Sequence, residues 1–481
     1  MGLALALLFF VIGSAIALYN WRWGIYAVVV AGFLQDPLRK IIPGEPVLMT
    51  VYAAALFGVC FISAMISAED LSFDDITKWN PVLYLPSLLL VGWVCVMATK
   101  TLLTTGSPIL AGIGATAYLA PIPGLLLGYH FARTRTDIVR LVCVYLVMST
   151  LFCLSLYMEK ASISSPLLGS VGEGFVFYPE SGGISILYAG FFRSPEIAGW
   201  HAATGICLIL LLGLGRKPTV TYVVIAAVLI AIFLPALIIT GRRKFLAAIV
   251  MFIAFSGFLT GYYRFGLHRF AYALIALAIA AGGFYYYITA SELPGDWLAY
   301  FERSATTSSD AADRFRHMTV DMFQWVIQKN GFFGAGAGTG SQGAQHFGGG
   351  SVLVGAAAEG GLGKVLAELG VPGLLLLVWV GLAMIFYVKS VCAGIQSSER
   401  IAPLVYCFVA FLGANTIVFT TAHQIFGDVF ILLLLGLMIG FIMRSPYLTD
   451  SHQAPPLGTP TLEAPRRRVG RRFANRRAGL A

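Results

Sequence analysis

KNGFFGAGAGTGSQGAQHFGGGSVLVGAAAEGGLGKVLAELGVPG, residues 329–373, begins as glycine punctuation and ends inside an apolar run, GVPGLLLLVWVGLAMIFYV, residues 370–388. That run contains no Asp, Glu, Lys or Arg. Its length matches the ~20 residues that a helix needs to cross a hydrocarbon core of ~30 Å. Upstream, glycines at alternate positions from Gly334 to Gly340 let the backbone take positive φ and approach a neighbour closely. This pattern describes a loop and a candidate phosphate cradle. It lacks the Gly-Lys-Ser/Thr ending of a P-loop and the strand-helix context of a dinucleotide fold. A flexible linker is the plain alternative. Glu359, Lys364 and Glu368 then lie in a helix-like run at the mouth of the span, where charges are costly and call for a role.

The rest of the chain is of the same kind. Hydrophobic residues make up 58% and charged residues 11% of 481 residues. A soluble globular domain has about a quarter charged residues, so that class is excluded. The runs are continuous rather than alternating, which implies helices and not a barrel. The fold class expected is therefore an all-α polytopic membrane protein of about 12–14 transmembrane helices. Spans are read near 1–19, 24–35, 46–66, 81–98, 109–130, 137–157, 196–215, 219–240, 245–262, 268–290, 371–388, 402–421 and 424–443. Residues 1–443 form the transmembrane domain, with segments 158–195 and 291–370 outside the bilayer on one face. Residues 444–481 are rich in proline and arginine with few large apolar side chains, and read as a disordered tail.

Orientation follows from that tail. Arg466, Arg467, Arg468, Arg471, Arg472, Arg476 and Arg477 place it in the cytoplasm by the positive-inside rule. Counting spans backwards puts Lys389, Arg400, Arg264, Arg216, Lys217, Arg133, Arg135 and Arg140 on the same face. The large segment 291–370 then falls on the outer face, together with Arg242, Arg243 and Lys244. These three cations break the rule, and an anionic partner at that helix end is one reason for them. Snorkelling to lipid headgroups is the plain alternative for Arg242 or Lys244.

Other ionisable groups fall on the same outer segments. Arg193, Glu196 and His201 lie in GFFRSPEIAGWHAA, and Asp310, Asp313, Arg314, Arg316, His317 and Asp321 in SSDAADRFRHMTVDMFQWV. Arginines gathered at the mouth of a helical bundle suit a lipid-linked diphosphate, because guanidinium binds phosphate through paired charge-assisted hydrogen bonds. A neighbouring carboxylate or imidazole is placed to take a proton from an attacking hydroxyl. His201, His317 and His346 are isolated and lack metal-ligand spacing.

Four stretches resemble the O-antigen ligase and polysaccharide polymerase (Wzy/WaaL-like) superfamily of membrane glycosyltransferases. GGISILYAGFFRSPEIAGWHAA is similar to its Gly-x-Phe-x-x-Pro entry to a span, and ITGRRKFLAA to its Ser/Thr-Gly-x-Arg helix end, with Arg243 on the arginine. DRFRHMTVDMFQWVIQKNGFFGAGAGTG resembles the opening of the large outer loop, with Arg314 or Arg316 as its arginine. AEGGLGKVLAELGVPGLLLL resembles the closing motif, with Glu368 in its Glu position. The family's His-Asn pair falls on Glu359-Gly360, so the ligase histidine is absent; the resemblance leaves Glu359 as its replacement, His346 reaching in from the glycine loop, or a branch of the family with different chemistry.

The resemblance implies a GT-C-type helical bundle in the bacterial cytoplasmic membrane. It would polymerise undecaprenyl-diphosphate-linked repeat units at the outer, periplasmic face without metal or other cofactor. Implied catalytic residues are Glu359, Arg243 and Arg314. Implied substrate-binding residues are Arg242, Arg316, Arg193, His346, Lys364 and Glu368. Partners would be the lipid-linked glycan, the membrane and other polysaccharide assembly proteins, with no nucleic acid. Ligase-type transfer of finished glycan is the alternative chemistry, and a glycan transporter or a non-catalytic scaffold the alternative class.

Overall fold

A computed structural model describes residues 2–67, 81–172, 176–177, 185–214, 219–265, 300, 322–341, 344–347 and 360–448. The tail beyond 448 and the span expected near 268–290 lie outside the described residues. What is described is an all-α bundle with one short antiparallel pair, Val176–Phe177 with Ser185–Ile186. The helices are α1 Gly2–Tyr19, α2 Trp21–Lys40, α3 Tyr52–Ile66, α4 Pro81–Thr105, α5 Pro108–Leu119, α6 Pro121–Phe131 and α7 Arg135–Lys160. They continue as α8 Pro195–Leu214, α9 Val220–Ile239, α10 Lys244–Thr260, α11 Met322–Asn330, α12 Gly361–Ile395, α13 Ile401–Thr421 and α14 Val429–Arg444.

Among the described residues ten helices are long and apolar enough to cross a membrane, and the pair α5/α6 makes an eleventh if counted as one span. The chain is a polytopic helical membrane protein. Three expected spans take a different form. Residues 24–35 lie on α2, which carries Arg22, Asp36, Arg39 and Lys40 and is not among the ten. Residues 109–130 are two helices bent by 42° at Ala120, where Pro121 removes a backbone donor. The apolar run 371–388 belongs to a 35-residue helix, α12, interrupted at Gly370 with φ 69°. At ~1.5 Å per residue a continuous helix of that length would far exceed the bilayer core, and the break leaves residues 361–369 as a separate segment.

The charges collect at helix ends, in two sets. At one end Arg22 donates to the carbonyls of His130 (2.7 Å) and Phe131 (2.9 Å), and Arg444 reaches the Tyr129 hydroxyl. Tyr387 contacts the Met443 carbonyl, while Tyr263 and Arg264 meet the carbonyls of Lys389 and Glu399 at that same end. At the other end Lys40 donates to the carbonyls of Leu167 (3.1 Å), Gly190 (2.8 Å) and Phe192 (2.8 Å). The cations expected to share a face with the tail thus lie at the Arg444 end wherever they are described.

The core joins both halves of the sequence. Helices α6 and α14 run side by side through a glycine seam, in which a Cβ on Gly436 would lie 2.3 Å from the Pro121 carbonyl. His201 on α8 is enclosed by Phe33, Phe192, Trp200 and Phe430, with its Nδ1 2.7 Å from the Tyr145 hydroxyl. It is a core residue. Just before the start of α8, Arg193 bridges Asp36 at the end of α2 (3.3 Å) and Asp428 at the N-cap of α14 (2.6 Å). Burial alone would lower the Arg193 pKa, but Asp428 and Asp36 outweigh it and the net shift is upward.

Removing one partner of such a buried pair costs about 3–5 kcal/mol, because it strands the other charges. Arg193→Ala should therefore lower the thermal midpoint of the purified protein markedly. Lys389→Ala, at an exposed position, should change stability by no more than about 0.5 kcal/mol. Fluorescence-detected gel filtration after heating measures both.

Candidate functional site

The charges at the end opposite Arg444 fall into separate clusters. The first lies where α8, α9 and α10 meet. Thr240 caps α9, Gly241 turns the chain with φ 63°, and Arg242 and Arg243 lead into α10. Arg242 Nε lies 2.8 Å from Glu196 Oε2, and Lys244 pairs with Oε1 of the same carboxylate. Glu196 stands in the first turn of α8, where the helix dipole favours its charge. Burial pulls the Arg242 pKa below its usual value. Arg243 occupies the N-cap position of α10 and is half-buried.

The second cluster centres on Glu368, whose side chain is fully buried just before the break in α12. Its carboxylate accepts from the Tyr118 hydroxyl (2.6 Å) and the Gly340 backbone N–H (2.9 Å), and lies 3.5 Å from Lys364 Nζ one turn earlier. The ammonium also sits over the Tyr118 ring. Both broken elements, α5/α6 and α12, therefore meet at this carboxylate.

The glycine stretch is docked there rather than free. The N–H groups of Ala335 and Gly336 donate to the carbonyls of Ala367 (2.7 Å) and Glu368 (3.1 Å), and Trp93 Nε1 donates to Leu369 (2.8 Å). The carbonyls exposed by the helix break are thus satisfied internally, as an apolar environment requires. Gly336 and Gly338 have φ of 126° and 93°, and a Cβ on either would come within 2.4 Å of Thr101 Oγ1 or 2.3 Å of the Leu110 carbonyl. The alternating glycines serve close backbone approach, as the sequence implies, but what they approach is α4 and α5. Neither a flexible linker nor an open cradle describes 334–341.

Of the expected site residues, Arg242 and Arg243 lie together at the first cluster, and Lys364 and Glu368 together at the second. Arg193 stands apart in its bridge to Asp36 and Asp428. Glu359, Arg314 and Arg316 lie outside the described residues, as do 311–321 of the interfacial helix expected over 311–328. His346 is on the four-residue helix Ala344–Phe347. The remainder of the expected interfacial helix is α11, whose Val326 packs on Leu366 and Ala367.

Sequence reasoning missed Tyr118, Asp36 and Asp428, and placed Glu196 among the ionisable groups of the outer face without giving it a role. Asp428 precedes an apolar run and accepts from the Ile431 N–H, an N-cap pattern visible in the sequence. Tyr118 offers no such mark, because a tyrosine in an apolar run is ordinary.

Glu368→Ala should free the loop. With an Ala337→Cys reporter, buried in the parent protein, thiol alkylation should rise at least tenfold in the Glu368→Ala background and stay slow without it. No family model matches the chain, and no curated protein is significantly similar to it.

Proposed function

We propose that the protein is a membrane glycosyltransferase of the O-antigen polymerase and ligase type. It polymerises lipid-linked oligosaccharide repeat units at the outer face of the cytoplasmic membrane. The observation that carries this reading is the group Arg242, Arg243 and Lys244, held at a helix junction at the end of the bundle opposite Arg444. Guanidinium and ammonium groups there match the chemistry of a diphosphate leaving group that stays attached to a lipid in the bilayer. Arg243 contacts the diphosphate, with Arg314 or Arg316 as the second arginine. Glu359 takes the proton of the acceptor hydroxyl, and direct displacement at the anomeric carbon inverts it. Of the four stretches that carry the resemblance, Arg193, Arg243, the glycine stretch 334–341 and Glu368 fall within the described residues.

A second reading has its own observation. Two broken helices facing a buried carboxylate and ammonium, Glu368 and Lys364, are features of transporters that carry solutes across the bilayer. Against it, the carbonyls at the α12 break are occupied by the glycine stretch and Trp93.

In cells lacking the protein, single repeat units should accumulate on the lipid carrier and long chains should vanish. Long chains that form but stay on the carrier would instead identify a ligase, and an unchanged profile would bring the transporter or scaffold forward. Arg243→Ala at normal protein level should cut glycan output about ten- to a hundredfold. That is the loss expected for a charge-assisted hydrogen bond of roughly 1.5–3 kcal/mol. Unchanged output would remove the central support of the reading.

A further inference from the structure

Glu196 differs from the other buried carboxylates at this end of the bundle. Asp36 and Asp428 are each locked by backbone donors as well as by Arg193: Asp36 accepts from the Arg193 N–H, and Asp428 from the Ile431 N–H. Glu196 instead faces side-chain cations with both oxygens: Arg242 lies against Oε2 in an ion pair without hydrogen-bond geometry, and Lys244 hydrogen-bonds Oε1. Those side chains keep 20% and 22% of their surface exposed, whereas Glu196 keeps 8%. The cations are therefore more accessible to an incoming anion than the carboxylate that pairs with them. If Glu196 loses these partners it still sits in the first turn of α8, where the helix dipole favours a negative charge.

We propose that Glu196 is a resident counter-ion: it neutralises Arg242 and Lys244 in the unliganded protein and is displaced from them when the substrate diphosphate binds. The inference rests on the function proposed above. It makes the empty site self-occupied, so the apparent affinity for the diphosphate is reduced by the fraction of molecules in which Glu196 holds the cations. It also gives selectivity. A monovalent anion competes poorly with a carboxylate already in place, whereas a diphosphate brings several oxygens to the same two cations.

The test uses the purified full chain in nanodiscs, with farnesyl diphosphate as the probe and inorganic pyrophosphate as competitor. Glu196→Gln keeps the shape and removes the charge, and should bind the probe about tenfold more tightly than the parent protein. Binding that is equal or weaker, while the parent protein binds, would overturn the counter-ion role and leave the proposed function standing. If neither protein binds, both ideas fall. Should Glu196→Gln not elute as a folded species, Glu196→Asp decides. It draws the carboxylate back from the cations and should still bind more tightly than the parent, and equal or weaker binding overturns the proposal. Pyrophosphate should compete only weakly. Competition as strong as the probe's own affinity would reassign the substrate to a free diphosphate, overturning the lipid-linked class while the displacement itself is judged by the Glu196 variants.

Discussion

The guanidinium of Arg193 between Asp36 and Asp428 is the contact on which the arrangement of this bundle depends. It joins the end of α2, the segment leading into α8 and the start of α14, three places far apart in the sequence. Two negative charges and one positive are taken out of water there. The cost is offset because each of the four carboxylate oxygens has a partner: the Arg193 N–H, the guanidinium and the Ile431 N–H all point at them. The aromatic enclosure of His201 lies directly beneath, so the polar bridge and the apolar core fix each other. With α8 set in this way, its first turn presents Glu196 to the α9–α10 junction.

A second constraint acts at the breaks. An apolar bundle supplies no water to satisfy open carbonyls, so a helix can be interrupted only where other backbone takes over its hydrogen bonds. At Gly370 the glycine stretch does this from one side and Trp93 from the other. Glycine is needed because the loop passes between α4 and α5 at distances that exclude a side chain. The same stretch that reads as punctuation in the sequence is, in the structure, an inserted strand of backbone held by Glu368.

The helical membrane class was legible from composition and run length, because a bilayer imposes both on the sequence directly. The positions of most spans followed for the same reason. Continuity was only partly legible: Pro121 and Pro123 mark a weak point in the run 109–130 without giving the 42° bend, and the helix-like run before residue 371 does not reveal the break at Gly370. Charges could be assigned to an end of the bundle by counting crossings, and this grouped Arg242, Arg243 and Lys244 with Glu196. Their pairing could not be read, because which carboxylate meets which cation depends on helix rotation and contacts between distant segments. Arg193 illustrates the limit. Its residue type and position fit an anion ligand, and only the structure reveals the two aspartates that already hold it.

The α6/α14 seam bears on how the protein is made. Gly124 and Gly128 leave the ribosome long before Gly436 and Gly440, which approach them backbone to backbone. The intervening chain, roughly 300 residues, takes tens of seconds to synthesise at about 5–20 residues per second. Throughout that interval α6 has an unfilled groove where its partner belongs, and Arg193 has only one of its two carboxylates. The last of the described helices is thus the one that closes the bundle, and a nascent chain halted before it would present an open interior, with one side of the Arg193 guanidinium lacking its aspartate, to the insertion and quality-control machinery.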